Sequence, residues 1–418
     1  MKSILSIGIL LLVVTLSHAQ QSPASEGLIA LPEPDWPQWR GPRRDAISAE
    51  KGLLPTWPAE GPRLRWKAEK IGRGWSSPIV VGDTVYITGD IDEDLVLHAL
   101  DHGGNPKWKA VAGRSWKGSF PGARTSAVWS AGLLYLMNAH GVVFAIDAAT
   151  GQHRWSEDVM QRFDAKVPTW AMSESLLIDG SRLIVTPGGS RGMMAALDKA
   201  TGETVWSSSP LARATYTSPI LFAHGGRRII ANCSSEHGFA VDADTGKLLW
   251  TVPLKNPYGV VCSTPVYGQG AVLFVTSDGP GAALYRADDG QPLWKSALDA
   301  LTGSGILADG LLFAGGCKRT KALHALDWKS GQDRYSLTLA QARSTYAAVA
   351  MVMADGRLYC QAEDGTVAML KPGAEGAEVR GKFRLVEAKG DAWGHPVLLN
   401  GRLYLRYHET LWCFDVAG

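Results

Sequence analysis

Six side chains spread along the sequence have the types that grip a flat or charged ligand: Trp75, Arg124, Trp170, Tyr216, Tyr346 and Trp393. Indole and phenol faces stack on rings, and a guanidinium holds a carboxylate or phosphate in bidentate fashion, so the set suits an anionic or aromatic group without help from a metal. Bond-making chemistry asks for more. The one carboxylate close to these positions is Glu174, whereas calcium takes about six to eight oxygen ligands; no metal ligand and no catalytic residue is assigned. Five cysteines (Cys233, Cys262, Cys317, Cys360, Cys413) lie in apolar strand-like stretches with no CxxC pair. They read as small buried hydrophobes, with one disulfide left open by the odd count and by the export inferred below.

Residues this far apart meet only if the chain repeats, and it does. AIDAATGQHRW ending at Trp155 returns as ALDKATGETVW ending at Trp206 and AVDADTGKLLW ending at Trp250, with looser copies closing at Trp108, Trp294 and Tyr335. Successive closing aromatics from Trp66 onward stand about 41 to 51 residues apart, a spacing found in propeller blades and too long for ankyrin or leucine-rich repeats. Asp-x-x-Thr-Gly reads as a tight turn between two strands, and the Trp at the end of the second strand as a structural wedge between neighbouring sheets. Stretches such as GWSSPIVVGDTVYI, TYTSPILF, VCSTPVYGQGAVLFV and AWGHPVLLNGRLYL open each unit by alternating, turning at Gly-Asp or Asn-Gly, and resuming.

This predicts an all-β fold, an eight-bladed β-propeller of four-stranded blades over residues 64–418. The last unit supplies three strands after Phe383, and Leu64–Trp66 is the missing fourth, so the ring closes by pairing amino- and carboxy-terminal strands and leaves no open edge. Aligning the innermost strands on their turns places Arg124, Met172, Tyr216, Cys262, Thr302, Tyr346 and Trp393 where Trp75 stands, a ring of residues at the channel mouth with Trp170 beside it. The channel below is expected to be packed by its own side chains and water. Loops on this face are basic, with Lys67, Arg73, Lys117, Arg162, Lys166 and Lys255 among them, and the acidic run Asp90–Asp94 is expected beside them.

Ahead of the ring, Met1–Lys2, an apolar run from Ile4 to Leu16 and Ser17-His18-Ala19 read as a cleaved signal peptide over 1–19, too short to span a bilayer comfortably. No cysteine follows, so a soluble periplasmic or secreted chain without an integral membrane segment is expected. Residues 20–63, rich in Pro and carrying Trp36, Trp39 and Trp57, read as an extended arm lying along the ring. A net charge of +2, 45% apolar and 20% charged residues give no polyanion-binding excess, which argues against nucleic acid as a partner.

The A-x-D-x-x-T-G-x-x-x-W repeat resembles that of the pyrroloquinoline-quinone (PQQ) repeat propellers, which include quinoprotein alcohol dehydrogenases and the BamB-type assembly proteins. In the dehydrogenases that resemblance implies PQQ in the channel, stacked on a Trp and a disulfide of adjacent cysteines, with calcium and an Asp base. This sequence lacks a Cys-Cys pair and a CxxCH haem site and is much shorter than those enzymes. The expected function is therefore an exported, monomeric, non-catalytic scaffold that binds a protein partner or an anionic or aromatic small ligand at the channel mouth, with no cofactor. The alternatives are a PQQ- and calcium-dependent dehydrogenase and another channel-centred enzyme.

Overall fold

Asp147 shows why the repeat folds as it does. One carboxylate oxygen accepts from the N–H groups of Ala149 and Thr150 and from the Thr150 hydroxyl at 3.1, 3.0 and 2.9 Å, and Gly151 completes the turn at φ +74°. The same side-chain turn recurs at Asp198, Asp242 and Asp327. Each turn is also a socket. Trp108 of the preceding blade donates its Nε1–H to the carbonyl of Ala148 at 3.2 Å, and its ring lies so close over Gly151 that a Cβ there would meet it at 2.7 Å. Trp66 on Gly104, Trp155 on Gly202, Trp250 on Gly290 and Trp294 on Gly331 repeat this lock around the ring. The two ends of the sequence motif thus serve different seams: the Asp-Gly turn receives the previous blade and the Trp enters the next.

The computed structural model describes residues 26–301, 303–339, 348–386 and 392–418. They form an eight-bladed propeller of antiparallel sheets. Blades 1 to 7 span residues 79–114, 128–158, 177–207, 220–253, 266–296, 306–337 and 349–384. Blade 8 joins Val397–Leu399, Arg402–Tyr407 and Thr410–Asp415 to Leu64–Ala68 from the amino end. The closing register pairs Trp66 with Cys413 and Ala68 with Leu411, as the strand count requires. Apolar side chains fill the seams between blades, as with Tyr135, Met137 and Val143 of blade 2 against Ile178 and Leu183 of blade 3. Across the closure, the fully buried Arg406 of blade 8 donates to the carbonyls of Gly72 and Thr88 leading into and along blade 1, at 2.9 and 2.6 Å.

The amino-terminal arm departs from the expected path along the ring. Gly27–Leu28 adds a fifth strand to the inner edge of blade 4, and residues 36–48 then occupy the channel. Trp36, 1% exposed, exchanges backbone hydrogen bonds with Val80 of blade 1. Pro37 accepts from Trp129 of blade 2, and Ala46 and Ser48 bond Met353 of blade 7. The physical reason lies in the edges. The innermost strands present unpaired backbone groups toward the axis, and in a channel this wide a polar peptide segment satisfies them better than side chains alone. Beyond the channel the arm runs outward, and Trp57 packs on Tyr359 and Phe383.

The lock gives a controlled comparison. Gly331 and Gly310 both have positive φ, +72° and +78°, yet a Cβ on Gly331 would stand 2.5 Å from the Trp294 ring while one on Gly310 meets nothing within 4 Å. Gly331→Ala should cost about 1–3 kcal/mol more than Gly310→Ala, the range for overpacking, as read from paired chemical denaturation curves.

Candidate functional site: an aromatic cup over a plugged channel

Where the outer strand of one blade leads to the inner strand of the next, the chain passes the channel mouth at a Ser or Thr ahead of blades 1 to 6 and at His395 ahead of blade 8. Those hydroxyls form a relay along most of the ring. Ser77 N–H donates to Ser126 Oγ at 2.9 Å, Ser126 N–H to Ser175 Oγ at 3.1 Å, and Ser175 N–H to Ser218 Oγ at 2.9 Å. Ser218 N–H then donates to Thr264 Oγ1 at 3.1 Å, Thr264 N–H to Ser304 Oγ at 3.0 Å, and His395 N–H to Ser77 Oγ at 2.8 Å. Sequence reasoning missed this collar. Its signal was the Ser-Pro or Thr-Pro pair ahead of several inner strands (Ser77-Pro78, Ser218-Pro219, Thr264-Pro265), where Pro has no N–H to bond and the preceding residue takes over that duty.

Below the collar lies the plug. Arg40 and Arg44, both fully buried, donate almost entirely to backbone carbonyls: Arg40 to Ser304 at 3.0 Å and Gly305 at 2.6 Å in blade 6, Arg44 to Ser175 at 3.0 Å in blade 3 and Pro219 at 2.9 Å in blade 4. A guanidinium is suited to this because its donors fan out in one rigid plane and reach several acceptors at once. Trp39 sits on the same segment and meets His395 of blade 8 edge-on at 5.2 Å between centroids. The channel is therefore closed by the arm and not, as expected, by blade side chains and water.

What remains above the plug is a cup of about 330 Å³. Five of the six residues singled out from sequence, Trp75, Arg124, Trp170, Tyr216 and Trp393, line it; Tyr346 lies outside the described residues, as does Thr302. Trp75 and Trp393 lie against each other, 4.8 Å between centroids and 32° between planes, and Phe120 packs on Trp393 at 5.6 Å. Across the mouth, Trp170 stands edge-on to Tyr216 at 6.0 Å. Met172, aligned with them in sequence, is buried in the seam between blades 2 and 3.

Charge is arranged differently from the expectation. Arg124 does not point a free fork into the cup: its NH1 donates to the Gly122 carbonyl at 2.7 Å and its NH2 to Phe120, clasping its own loop, while the guanidinium lies over Trp75 at 5.3 Å. On the far wall Lys318 is held by both oxygens of Asp278, at 2.7 and 2.8 Å. Burial pushes the Cys262 thiol and the Tyr216 phenol each up to about 12, so both stay protonated at neutral pH and neither is an activated nucleophile or base. Glu174 faces away from the cup: Thr186 donates to its two oxygens through N–H and hydroxyl, each at 2.8 Å. All five cysteines are unpaired. Among the described residues no group of three or more His, Cys, Asp or Glu could hold a metal ion, and no helix is long and apolar enough to cross a membrane. Several rim cations are paired with acids, Lys67 with Glu69, Lys117 with Glu93 and Arg162 with Glu157, which tempers the basic face.

Comparison with known proteins places these features in a lineage. A family profile described as "Outer membrane protein assembly factor BamB" matches residues 43–162, 93–333 and 281–379. The outer membrane protein assembly factor BamB of Alkalilimnicola ehrlichii is 26% identical over 228 residues, 52% of this chain and 52% of that protein. Quinohemoprotein alcohol dehydrogenase ADH IIB of Pseudomonas putida is 30% identical over 145 residues, 32% of this chain and 21% of that one. The chain spans about half the length of the BamB relatives it matches. Among solved structures, BamB from Moraxella catarrhalis superposes with a TM-score of 0.59 at 16% identity, covering 84% of this chain and 98% of its own. Quinohemoprotein alcohol dehydrogenase from Comamonas testosteroni gives 0.61 at 14%, covering 92% and 81%. Identities this low speak for the fold alone.

Glu174 yields a pH test of the collar and plug. Burial raises its carboxyl from 4.5 to about 7 despite the Thr186 bonds and the nearby Arg44. Between those values the folded chain keeps a proton that the unfolded chain has released, so stability should fall as pH rises from about 4.5 to about 7 and level off above. Melting temperatures measured across that window should show this decline in the wild type and lose it in Glu174→Gln.

Proposed function

The chain belongs to the family of the outer membrane protein assembly factor BamB, and on that premise we propose that it is an exported, non-catalytic propeller that receives a ring-bearing group of a protein partner or small ligand in its aromatic cup. One observation carries the reading: aromatic residues from blades on opposite sides of the ring converge on a single concavity whose floor is sealed. Such a surface holds and orients. Among the described residues it shows no nucleophile beside a base. Tyr258 at the rim, 63% exposed and with Lys318 at 5.9 Å from its ring centre, is the kind of aromatic that anchors a partner. Export through residues 1–19 to the periplasm or beyond completes the reading.

An oxidoreductase using PQQ and calcium is the second reading, favoured by the paired indoles of Trp75 and Trp393, against which a planar quinone could lie. The residues present do not fit that pair. Calcium wants many oxygens at once, whereas Asp278 is committed to Lys318 and Glu174 to Thr186, and the one cysteine on the wall, Cys262, has no adjacent partner.

Two measurements on the purified chain decide between the readings. With PQQ, calcium and an alcohol, no dye reduction is expected, and reduction would overturn the proposal. In capture from an extract of exported proteins, Trp170→Ala, a half-buried position whose loss should leave the melting temperature unchanged, is expected to lose a partner that the wild type retains.

A further inference from the structure

We propose that the cup takes a neutral saccharide of one or two rings, an inference that rests on the cup being the working surface of the protein. Aromatic side chains line the cup from two sides, Trp393 backed by the buried Trp75 at blades 8 and 1, and Trp170 and Tyr216 at blades 3 and 4. A sugar ring offers such walls an apolar C–H face, while its edge is studded with oxygens. The cup's volume of about 330 Å³ sits at the small end of the range of about 300–1,000 Å³ for ligand clefts.

The floor selects for that oxygen-rich edge. Ser175, Ser218 and Thr264 line the cup and are each only 4% exposed. Each hydroxyl oxygen is already taken by a neighbour's backbone N–H, so what each has left to give is its own O–H, for which no protein acceptor exists among the described residues. A hydroxyl is one donor and two acceptor sites, and a buried donor without an acceptor is unfavourable. Ser173 adds a fourth hydroxyl at the wall. A purely aromatic guest would leave these donors facing carbon. A polyol meets them with oxygen.

Charge favours a neutral guest. Lys318 is already paired with Asp278, and Arg124 keeps its charge but holds its NH1 and NH2 donors on the carbonyls of its own loop, so neither cation presents a free fork to an anion, and a neutral guest needs neither.

The test is calorimetry and tryptophan fluorescence on the purified full chain with glucose, galactose, mannose, N-acetylglucosamine, cellobiose and chitobiose, beside benzoate and inorganic phosphate. Saturable binding of at least one sugar is expected, weakened about tenfold or more in Trp170→Ala, the loss of one stacking face, and a few-fold in Ser173→Ala, which lies outside the hydroxyl collar and leaves the fold intact. Saturation by none of the sugars at millimolar concentration, or tighter binding of benzoate or phosphate than of any sugar, overturns the proposal. If sugars fail while Trp170→Ala still loses its captured partner, the saccharide falls and the cup stands as the binding surface; if Trp170→Ala changes neither, both fall.

Discussion

Eight strand edges turned toward one axis set the problem that the rest of this molecule answers. Apart from blade 4, whose inner edge Gly27–Leu28 extends, the innermost strands bring N–H and C=O groups to the channel with no further strand of the sheet to pair them, and buried backbone groups left unpaired are expensive. Two devices meet this demand at different depths. At the mouth, hydroxyls from six blades each cap the N–H of a neighbour, in a relay from Ser77 to Ser304 that His395 joins from blade 8. Deeper in, Arg40 and Arg44 spread their donors over carbonyls of blades 3, 4 and 6. The arginines are worth their desolvation because every blade they touch is thereby fixed relative to the others, and the cup inherits that fixity: its walls stand on loops whose roots are tied both laterally and to the axis.

Much of the ring was legible because its code is local. Asp147, Thr150, Gly151 and Trp155 lie within one short stretch, and both the turn and the wedge follow from residue type and spacing. Strand counting then gave the closure, since a fourth strand for blade 8 had to come from somewhere and Leu64–Trp66 was the available segment. Five of the residues assigned to the mouth line the cup for the same reason, since a repeat places equivalent positions at equivalent places around an axis, whereas Met172 at such a position turns into a seam.

The plug and the charge arrangement were not legible, and the physical reason is common to both. Arg40, Arg44, Arg124 and Arg406 look alike in sequence to cations on a surface, yet in the fold each is bonded to carbonyl oxygens, some of them more than a hundred residues away. Carbonyls are present at every position and so leave no mark on a sequence. A Pro- and Trp-rich arm likewise announces that it docks, through Trp36 and Trp57, without saying whether it docks outside the ring or within it. Only the polar hunger of the inner edges decides that, and it becomes visible when the edges are in place.

The route of the arm also dictates an order of assembly. Residues 36–48 thread the axis, and the same stretch of chain continues to Leu64–Ala68, which must wait for Thr410–Asp415 to complete its sheet. During synthesis Leu64–Ala68 therefore emerges among the first strands and has its partner made last, while residues 36–48 meet blade 1 early and blade 7 late. Contacts of this span form slowly, because the intervening chain must be ordered before they stabilise anything. The filling of the axis and the closing of the ring are thus tied to one continuous stretch of chain, so the plug is a spindle whose far end is also the clasp.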